Sequence, residues 1–426
     1  MKIFIGLTEI AGYYTNLEKG FRQIGVSCDF INLTNHPYRY DDKDSHNFLV
    51  RCIRWISKQR STNSQSIVKK ILWYGLEKLI CIPLFIMAIL KYDVFIFGFT
   101  TSFFNFIDLP ILKFLNKKII YVFHGSDSRP PYINGAVMTK DRKNDISECL
   151  LLTKKRRKII RTIDKYADII IDHPPMGLFH ERPFVLVLSI GIPYNSPENP
   201  ITELGDNPNT VRILHSPSHL EAKGTHIIRD TISNLKSKGY NIEFVEIMGK
   251  PNSVVLEELA RCDFVVDQLY SDTPLAGFAT EAAFFGKPAV VGGYYAEYIY
   301  DDYSGKNIPP SYYCHPDDIE KAIEKMITDK EFRLGLGKKA SDFVKTQWHP
   351  AKVAERYLRI ILDDIPEEWL YDPQRISYIY GAGISKERAK QLVKALIEKG
   401  GKEALQLNDK PELEKKFIEF SQNHSV

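Results

Sequence analysis

Two doubly wound, parallel α/β domains separated by a cleft, with a small helical appendage behind them, are the architecture this sequence predicts. Three observations lead there. Short apolar runs alternate with helical patterns from Lys2 to Ile171. The alternation breaks at Pro193–Asn209 (PYNSPENPITELGDNPN), a stretch too rich in Pro, Asn, Gly and acids to bury a core and therefore read as a linker. It restarts at Val211 and runs on into the late helices that end near Leu362.

In the first half, Lys2–Leu7, Val94–Phe97, Lys118–Phe123 and Ala167–Ile171 read as strands. They are β-branched and aromatic without polar alternation, as in strands covered on both faces. Helical patterns lie at Asn16–Gly25, Ser66–Leu90, Leu109–Leu115 and Asp145–Tyr166. That order implies a parallel sheet joined by crossover helices. In the second half, strands at Val211–Leu214, Ile242–Ile247, Phe264–Val266 and Ala289–Val291 alternate with helices at Thr225–Lys238, Asn252–Ala260 and Thr280–Phe285. Asp317–Thr328, Lys330–Lys345 and Val353–Leu362 add later helices. The expected units are a Rossmann-like domain over 1–195, a second over 208–347, a helix over 348–365 returning toward the first domain, and a helical appendage over 366–426.

A length of 426 residues suits two domains plus extras, and 44% hydrophobic with 26% charged residues suits a globular chain. The net charge of +4 lacks the dense basic excess of a nucleic-acid binder, so no nucleic acid is expected as a partner. Six cysteines, at 28, 52, 81, 149, 262 and 314, form no C-x-x-C pair and suit a reducing cytosol. No acidic cluster reads as a Mg²⁺ site, so no metal or other cofactor is expected. The first apolar run breaks at Thr8-Glu9, too early for a signal peptide. A cytoplasmic location follows, with the inner face of the plasma membrane as a further expectation.

Two segments bear on that membrane. Leu79–Leu90 (LICIPLFIMAIL) is 12 residues long, whereas a spanning helix needs about 20. It reads first as a buried helix kinked at Pro83. The alternative is an interfacial helix, with Lys69, Lys70 and Trp73 upstream. The run Lys154–Lys158 (KKRRK) reads first as a solvated helix face. Its alternative is attraction to anionic headgroups or a phosphorylated acceptor. Near the C-terminus, Tyr380–Ser385 (YGAGIS) before a basic helix resembles a helix-hairpin-helix turn, but a helix N-cap at Ser385 explains it as well.

The segment Asp267–Gly293 (DQLYSDTPLAGFATEAAFFGKPAVVGG) is the richest in chemistry. A strand ends at Val266, an irregular loop with Asp272, Thr273 and Pro274 follows, and a helix starts near Thr280. Ligands of open α/β sheets bind beyond the carboxyl ends of strands. Free N–H groups at a helix start, here Phe278, Ala279 and Thr280, attract a diphosphate. Gly277 allows close backbone approach. Glu281 can accept two hydrogen bonds from a ribose diol, although a first-turn glutamate also suits the helix dipole alone. In Ile213–Thr225 (ILHSPSHLEAKGT), Lys223 before Gly224 can reach a phosphate as a point charge, or the pair can be a plain loop turn. In Tyr121–Arg129 (YVFHGSDSR), His124 follows a buried strand. Its imidazole can bond a sugar hydroxyl or be a satisfied loop residue. The loop Thr8–Thr15 contains Gly12, which can permit ligand approach or form an ordinary turn.

These motifs resemble retaining GT-B nucleotide-sugar glycosyltransferases, of the group 1 and family 4-like kind. The run G-F-A-T-E-A-A-F-F-G-K-P-A-V-V is similar to their donor-site signature, which implies that Glu281 holds the nucleotide ribose. The loop with Lys223 resembles the one whose lysine grips the donor diphosphate. There an arginine usually stands a few residues earlier, and this chain has Ser218, His219 and Leu220 in that stretch. The H-G-x-D stretch implies that His124 approaches the transferred sugar, with Asp127 and Arg129 lining the acceptor side. The family's first glutamate falls at Thr273, with Asp272 one position away as a substitute. The resemblance covers about residues 1–362. It implies a retaining, metal-independent transfer from a nucleotide-sugar donor to a hydroxyl of a glycan or lipid-linked acceptor, with peripheral contact to an anionic membrane. Two alternatives stay open: a weakened carbohydrate-binding or assembly protein of the same fold, and a nucleotide-sugar epimerase, for which no carboxylate set stands out.

Overall fold

The computed structural model describes residues 1–34, 47–62, 67–138, 145–195 and 210–422. Most of the linker expected at 193–209 lies outside the described residues. The first sheet contains β1 (Ile3–Leu7), β2 (Cys28–Asn32), β3 (Val94–Gly98), β4 (Lys118–Val122), β5 (Ile169–Asp172) and β6 (Phe184–Leu186). The second contains β7 (Val211–His215), β8 (Ile242–Glu246), β9 (Phe264–Val266), β10 (Ala289–Gly292) and β11 (Tyr312–Cys314). A late strand, β12 (Leu370–Tyr371), runs antiparallel to β6 and closes the edge of the first sheet. All other pairings are parallel, in the orders β12-β6-β5-β4-β3-β1-β2 and β11-β10-β9-β7-β8.

Each order reverses once, between β1 and β3 in the first sheet and between β7 and β9 in the second. Loops leaving such neighbouring strands part to opposite sides and open a crevice. The loops after β7 and β9 carry Lys223 and Gly277, so the topology itself sets these two residues on one crevice. The central strands β1, β3, β9 and β10 are buried because both faces are covered. Phe4 on β1 sits 5.3 Å from Phe95 on β3 and 5.4 Å from Phe103, ring centre to ring centre.

After the second domain the chain returns. Helix Pro350–Ile361 packs on helix Tyr13–Gln23 so closely that a Cβ on Gly20 would lie 2.1 Å from the Pro350 carbonyl oxygen. Tyr13 and Tyr357 share a hydrogen bond of 2.8 Å across this contact.

The C-terminal region is helical, with Lys386–Gly400 packed on helix Ile146–Tyr166 and Pro411–Gln422 packed on Lys386–Gly400. It also crosses the cleft. Tyr378 donates to Asp272 (3.1 Å), Gly383 N–H to the Tyr270 carbonyl (2.8 Å), and Gly135 N–H to the Ala382 carbonyl (2.8 Å). The segment thus touches both domains within a few residues. The helix-hairpin-helix reading of 380–385 fails here, because this turn is built into the domain junction and Ser385 caps the following helix by accepting from Arg388 N–H (3.2 Å).

Two further expectations need correction. Helix 67–91 is 25 residues long, and it is not the buried helix expected for 79–90, because only one face of it enters the core. The run Lys154–Lys158 is not a uniform basic face. Helical periodicity turns Arg157 inward, where it pairs with Asp409 (2.7 Å) and Glu181 (2.8 Å), and Arg156 bonds the Ser126 carbonyl.

Candidate functional site

Lys223 sits at the end of the loop after β7. Gly224 follows with φ +68°, and a Cβ there would meet Leu269 at 2.6 Å, so only glycine lets the loop press against the chain after β9. That contact is fastened by Leu269 N–H donating to the Lys223 carbonyl (3.0 Å). The Lys223 ammonium donates to Gln268 Oε1 at 2.7 Å and lies 3.6 Å from Asp267 Oδ1. Asp267 is buried, and neither of its oxygens finds a hydrogen-bond partner among the described residues. Asp267 and Gln268 therefore hold a cation at the mouth of the crevice, where it stays about one-fifth exposed.

The helix after the loop spans Gly277–Phe284, three residues earlier than Thr280, and no side chain caps its start. The N–H groups of its first turn before Thr280 are therefore available to an anion, whereas Thr280 N–H, expected among the free donors, bonds the Ala276 carbonyl (2.8 Å) because the helix starts earlier. Gly277, Phe278, Thr280 and Glu281 line a cavity of about 430 Å³, together with Lys223 and Ser218 from the β7 loop. Ala279 faces the core instead and is fully buried. Glu281 Oε1 accepts from Asn252 at 3.3 Å. Burial pushes its carboxyl up to about 7, against the opposing Asn252 hydrogen bond, and nearby Asp267 adds to the rise.

The first domain supplies the opposite wall. His124 lines the same cavity, with Nε2 2.7 Å from the Tyr14 hydroxyl and its ring edge-on to Tyr13. Burial pulls this imidazole down to about 4, so it is neutral at pH 7. Asp127 lines neither cavity described here. Its Oδ1 accepts the His124 N–H (2.8 Å) and so sets the turn that presents the imidazole. Gly12 has φ +79° and starts helix Tyr13–Gln23, while its neighbours Ile10, Ala11 and Tyr13 reach the cavity.

A second cavity of about 380 Å³ adjoins the first and shares Lys223, Ser218, Thr273 and Met176 with it. His219, Arg129 and Asp272 line this chamber, and Ala382 and Gly383 of the C-terminal segment wall it. Arg129 and Asp272 are committed to one another. Arg129 Nε donates to Asp272 Oδ2 at 3.0 Å, a second bond runs from Nη2, and both side chains are buried at the domain junction. His173 adds a further bridge, with Nε2 2.6 Å from the Asp272 carbonyl oxygen and Nδ1 2.6 Å from the Tyr303 hydroxyl. Thr273, where the family's first glutamate would stand, keeps a buried hydroxyl with no partner among the described residues. Those residues also contain no group of three or more His, Cys, Asp or Glu side chains placed to hold a metal.

No family model matches this chain. No curated protein matches it either. Solved structures do. A point mutant of Staphylococcus aureus TarM, in complex with fondaparinux, α-GlcNAc-glycerol and UDP, is 11% identical with a TM-score of 0.50, over 84% of this chain and 99% of its own. Anabaena Alr3699/HepE with UDP and glucose is 11% identical with a TM-score of 0.43, over 85% of this chain and 100% of its own. An S. aureus MnaA–UDP structure is 12% identical with a TM-score of 0.43, over 86% and 98%. At 11% identity the likeness to TarM is one of fold, and it agrees with the two sheets and the cleft described above. The fold is GT-B.

Within this GT-B frame, sequence reasoning passed over several residues that line the site or support it. Tyr14, read as part of the loop Thr8–Thr15, and Asn252, at the start of a helical pattern, bond His124 and Glu281, and no local signal marks either. Gln268 was visible beside Asp267, but its grip on Lys223 arises only when two loops 45 residues apart meet. Glu9 was legible as an acid at a strand end. It caps helix Tyr13–Gln23 by accepting from Tyr14 N–H (3.1 Å) and Thr15 N–H (2.9 Å).

Proposed function

We propose that this protein is a glycosyltransferase that moves a sugar from a nucleotide-sugar donor to a hydroxyl of a glycan or lipid-linked acceptor. The observation that carries the reading is convergence. Lys223 from the β7 loop meets the uncapped start and the Glu281 carboxylate of helix Gly277–Phe284 on one cavity. A diphosphate between the ammonium and the helix start would meet a full charge and free amides. Glu281 would then accept the ribose hydroxyls, and His124, neutral and oriented by Tyr14, would face the sugar from the other domain. As the sugar leaves, charge builds on the diphosphate, and donors already in place stabilise it without reorganising. The resemblance noted in the sequence adds that such a transfer retains configuration and needs no metal. Thermal-shift titration with UDP, GDP and their sugars tests the site. A nucleotide-dependent shift that Glu281→Ala abolishes supports it, and an equal shift in the variant removes the ribose assignment.

One observation favours a second reading, a binding or assembly protein of the same fold with little turnover. The carboxylate of Asp272 is held by Arg129 and Tyr378, and Thr273 bears no charge. Neither residue then offers a free carboxylate to the donor sugar. Nucleotide binding without donor hydrolysis or transfer favours this reading; turnover rejects it.

A further inference from the structure

Outside the cleft, the molecule carries an apolar face that the sugar chemistry does not use. Helix Ile67–Lys91 has length and composition enough to cross a membrane. It is nonetheless fixed sideways on the first domain. Cys81, Leu84, Phe85 and Ala88 are buried in the core, with the Phe85 ring 5.1 Å from Phe103. Its second half thus lies along the surface of the first domain rather than standing clear of it.

The opposite face is bare. Val68, Leu72, Leu79, Ile82, Ile86 and Leu90 are 45–81% exposed and recur at helical spacing. At 1.5 Å per residue the stripe is about 33 Å long. It broadens on both sides. Trp55 of helix Phe48–Thr62 is exposed and packs edge-on to Trp73 at 5.6 Å. On the other flank, Asn105 bonds the Tyr74 hydroxyl (2.6 Å), and the chain runs on to exposed Ile107, Ile111 and Phe114. Such an area exceeds what isolated surface residues explain.

Charge identifies what covers it. Residues 47–62 and 67–91 contain eight Lys and Arg against one acid, Glu77, which is paired with Arg60 at 2.9 Å. Arg51, Lys58, Lys69 and Lys70 are exposed around the apolar stripe. A bare apolar stripe, tryptophan nearby and a strong cationic excess are the features of a surface that lies in the boundary of an anionic leaflet.

We propose that helices Phe48–Thr62, Ile67–Lys91 and Asp108–Phe114 seat this protein on an anionic lipid leaflet, with helix 67–91 lying in the plane of the interface. The proposal stands apart from the donor reading, because vesicle binding is measured without nucleotide. The test is flotation of the full chain with phosphatidylcholine vesicles, with and without phosphatidylglycerol, for wild type, Ile82→Glu/Ile86→Glu and Lys69→Glu/Lys70→Glu. Wild type floats with the anionic vesicles. The apolar pair loses at least about tenfold in partitioning. The lysine pair loses the preference for phosphatidylglycerol and its sensitivity to salt. Unchanged thermal unfolding shows that the variants fold, as expected for substitutions at exposed positions. Wild type remaining unbound, or the apolar pair floating like wild type, overturns the proposal. So does a wild-type dimer that these substitutions dissociate without any flotation, since the face would then join two copies of the chain.

Discussion

Lys223 is the residue at which fold stability and ligand binding can be separated. Its ammonium lies 3.6 Å from Asp267, whose buried carboxylate has no hydrogen-bond partner among the described residues. At an effective dielectric near 20, that separation corresponds to about 4–5 kcal/mol of Coulomb attraction before desolvation is subtracted. Breaking a buried pair by removing one partner costs about 3–5 kcal/mol. Lys223 is one-fifth exposed, so water screens part of this, and about 2 kcal/mol is the expected loss for Lys223→Met. For a domain of this size that is roughly 4–8 °C in Tm. A ligand diphosphate would lose a charge-assisted hydrogen bond of about 1.5–3 kcal/mol, or roughly 10–150-fold in Kd. The double variant Lys223→Met/Asp267→Asn removes both charges. Scanning fluorimetry then shows stability largely regained, while calorimetry shows nucleotide affinity still lost. If the double variant regains affinity, or the single variant binds as tightly as wild type, the phosphate role is wrong and Lys223 merely balances Asp267.

Three other outcomes follow from the same geometry. The Glu281 carboxyl is raised from 4.5 to about 7, so the folded state holds its proton more tightly than the unfolded chain does; the contribution of this group to stability therefore falls as pH rises from about 4.5 through about 7. Glu281→Gln removes that part of the pH dependence in thermal unfolding, and it also removes the loss of nucleotide affinity expected below pH 7, where a protonated carboxyl accepts ribose hydrogen bonds poorly. Arg129→Ala strands a buried Asp272 at the domain junction and costs about 3–5 kcal/mol, read by urea denaturation; small-angle scattering checks the accompanying loosening of the two domains. Gly20→Ala drives a methyl into the Pro350 carbonyl and costs about 1–3 kcal/mol, whereas Gly25→Ala, with open space around its Cβ position but φ +74°, reports only backbone strain.

Legibility in the sequence followed how local each signal was. The four strands read in the second domain lie within a residue or two of β7, β8, β9 and β10, because each is a β-branched or aromatic-rich run between helical patterns. Four strands were missed. β2 (CDFIN) interleaves polar residues, and β6, β11 and β12 have three residues or fewer and lack the helical patterns on both sides that frame the equally short β9. The site divided the same way. Lys223, Gly277 and Glu281 were visible as a loop lysine, a loop glycine and an early helical carboxylate. The fate of Arg129 and Asp272 was not, since two residues 143 positions apart leave no local trace of their pairing.

The sequence by itself determined the alternation of strand and helix, the break between the two halves, and the chemical type of each residue facing the crevice, because hydrophobic periodicity and turn composition act over a few residues. Tertiary structure alone decided that Asp267 and Gln268 hold Lys223, that Arg157 turns inward to meet Asp409, that 378–383 crosses both domains, and that one side of helix 67–91 stays bare. Those outcomes depend on which charges and surfaces meet after the chain has closed on itself. The free energy of such a meeting is set by burial and by distance in space, and neither is encoded in any short stretch of residues.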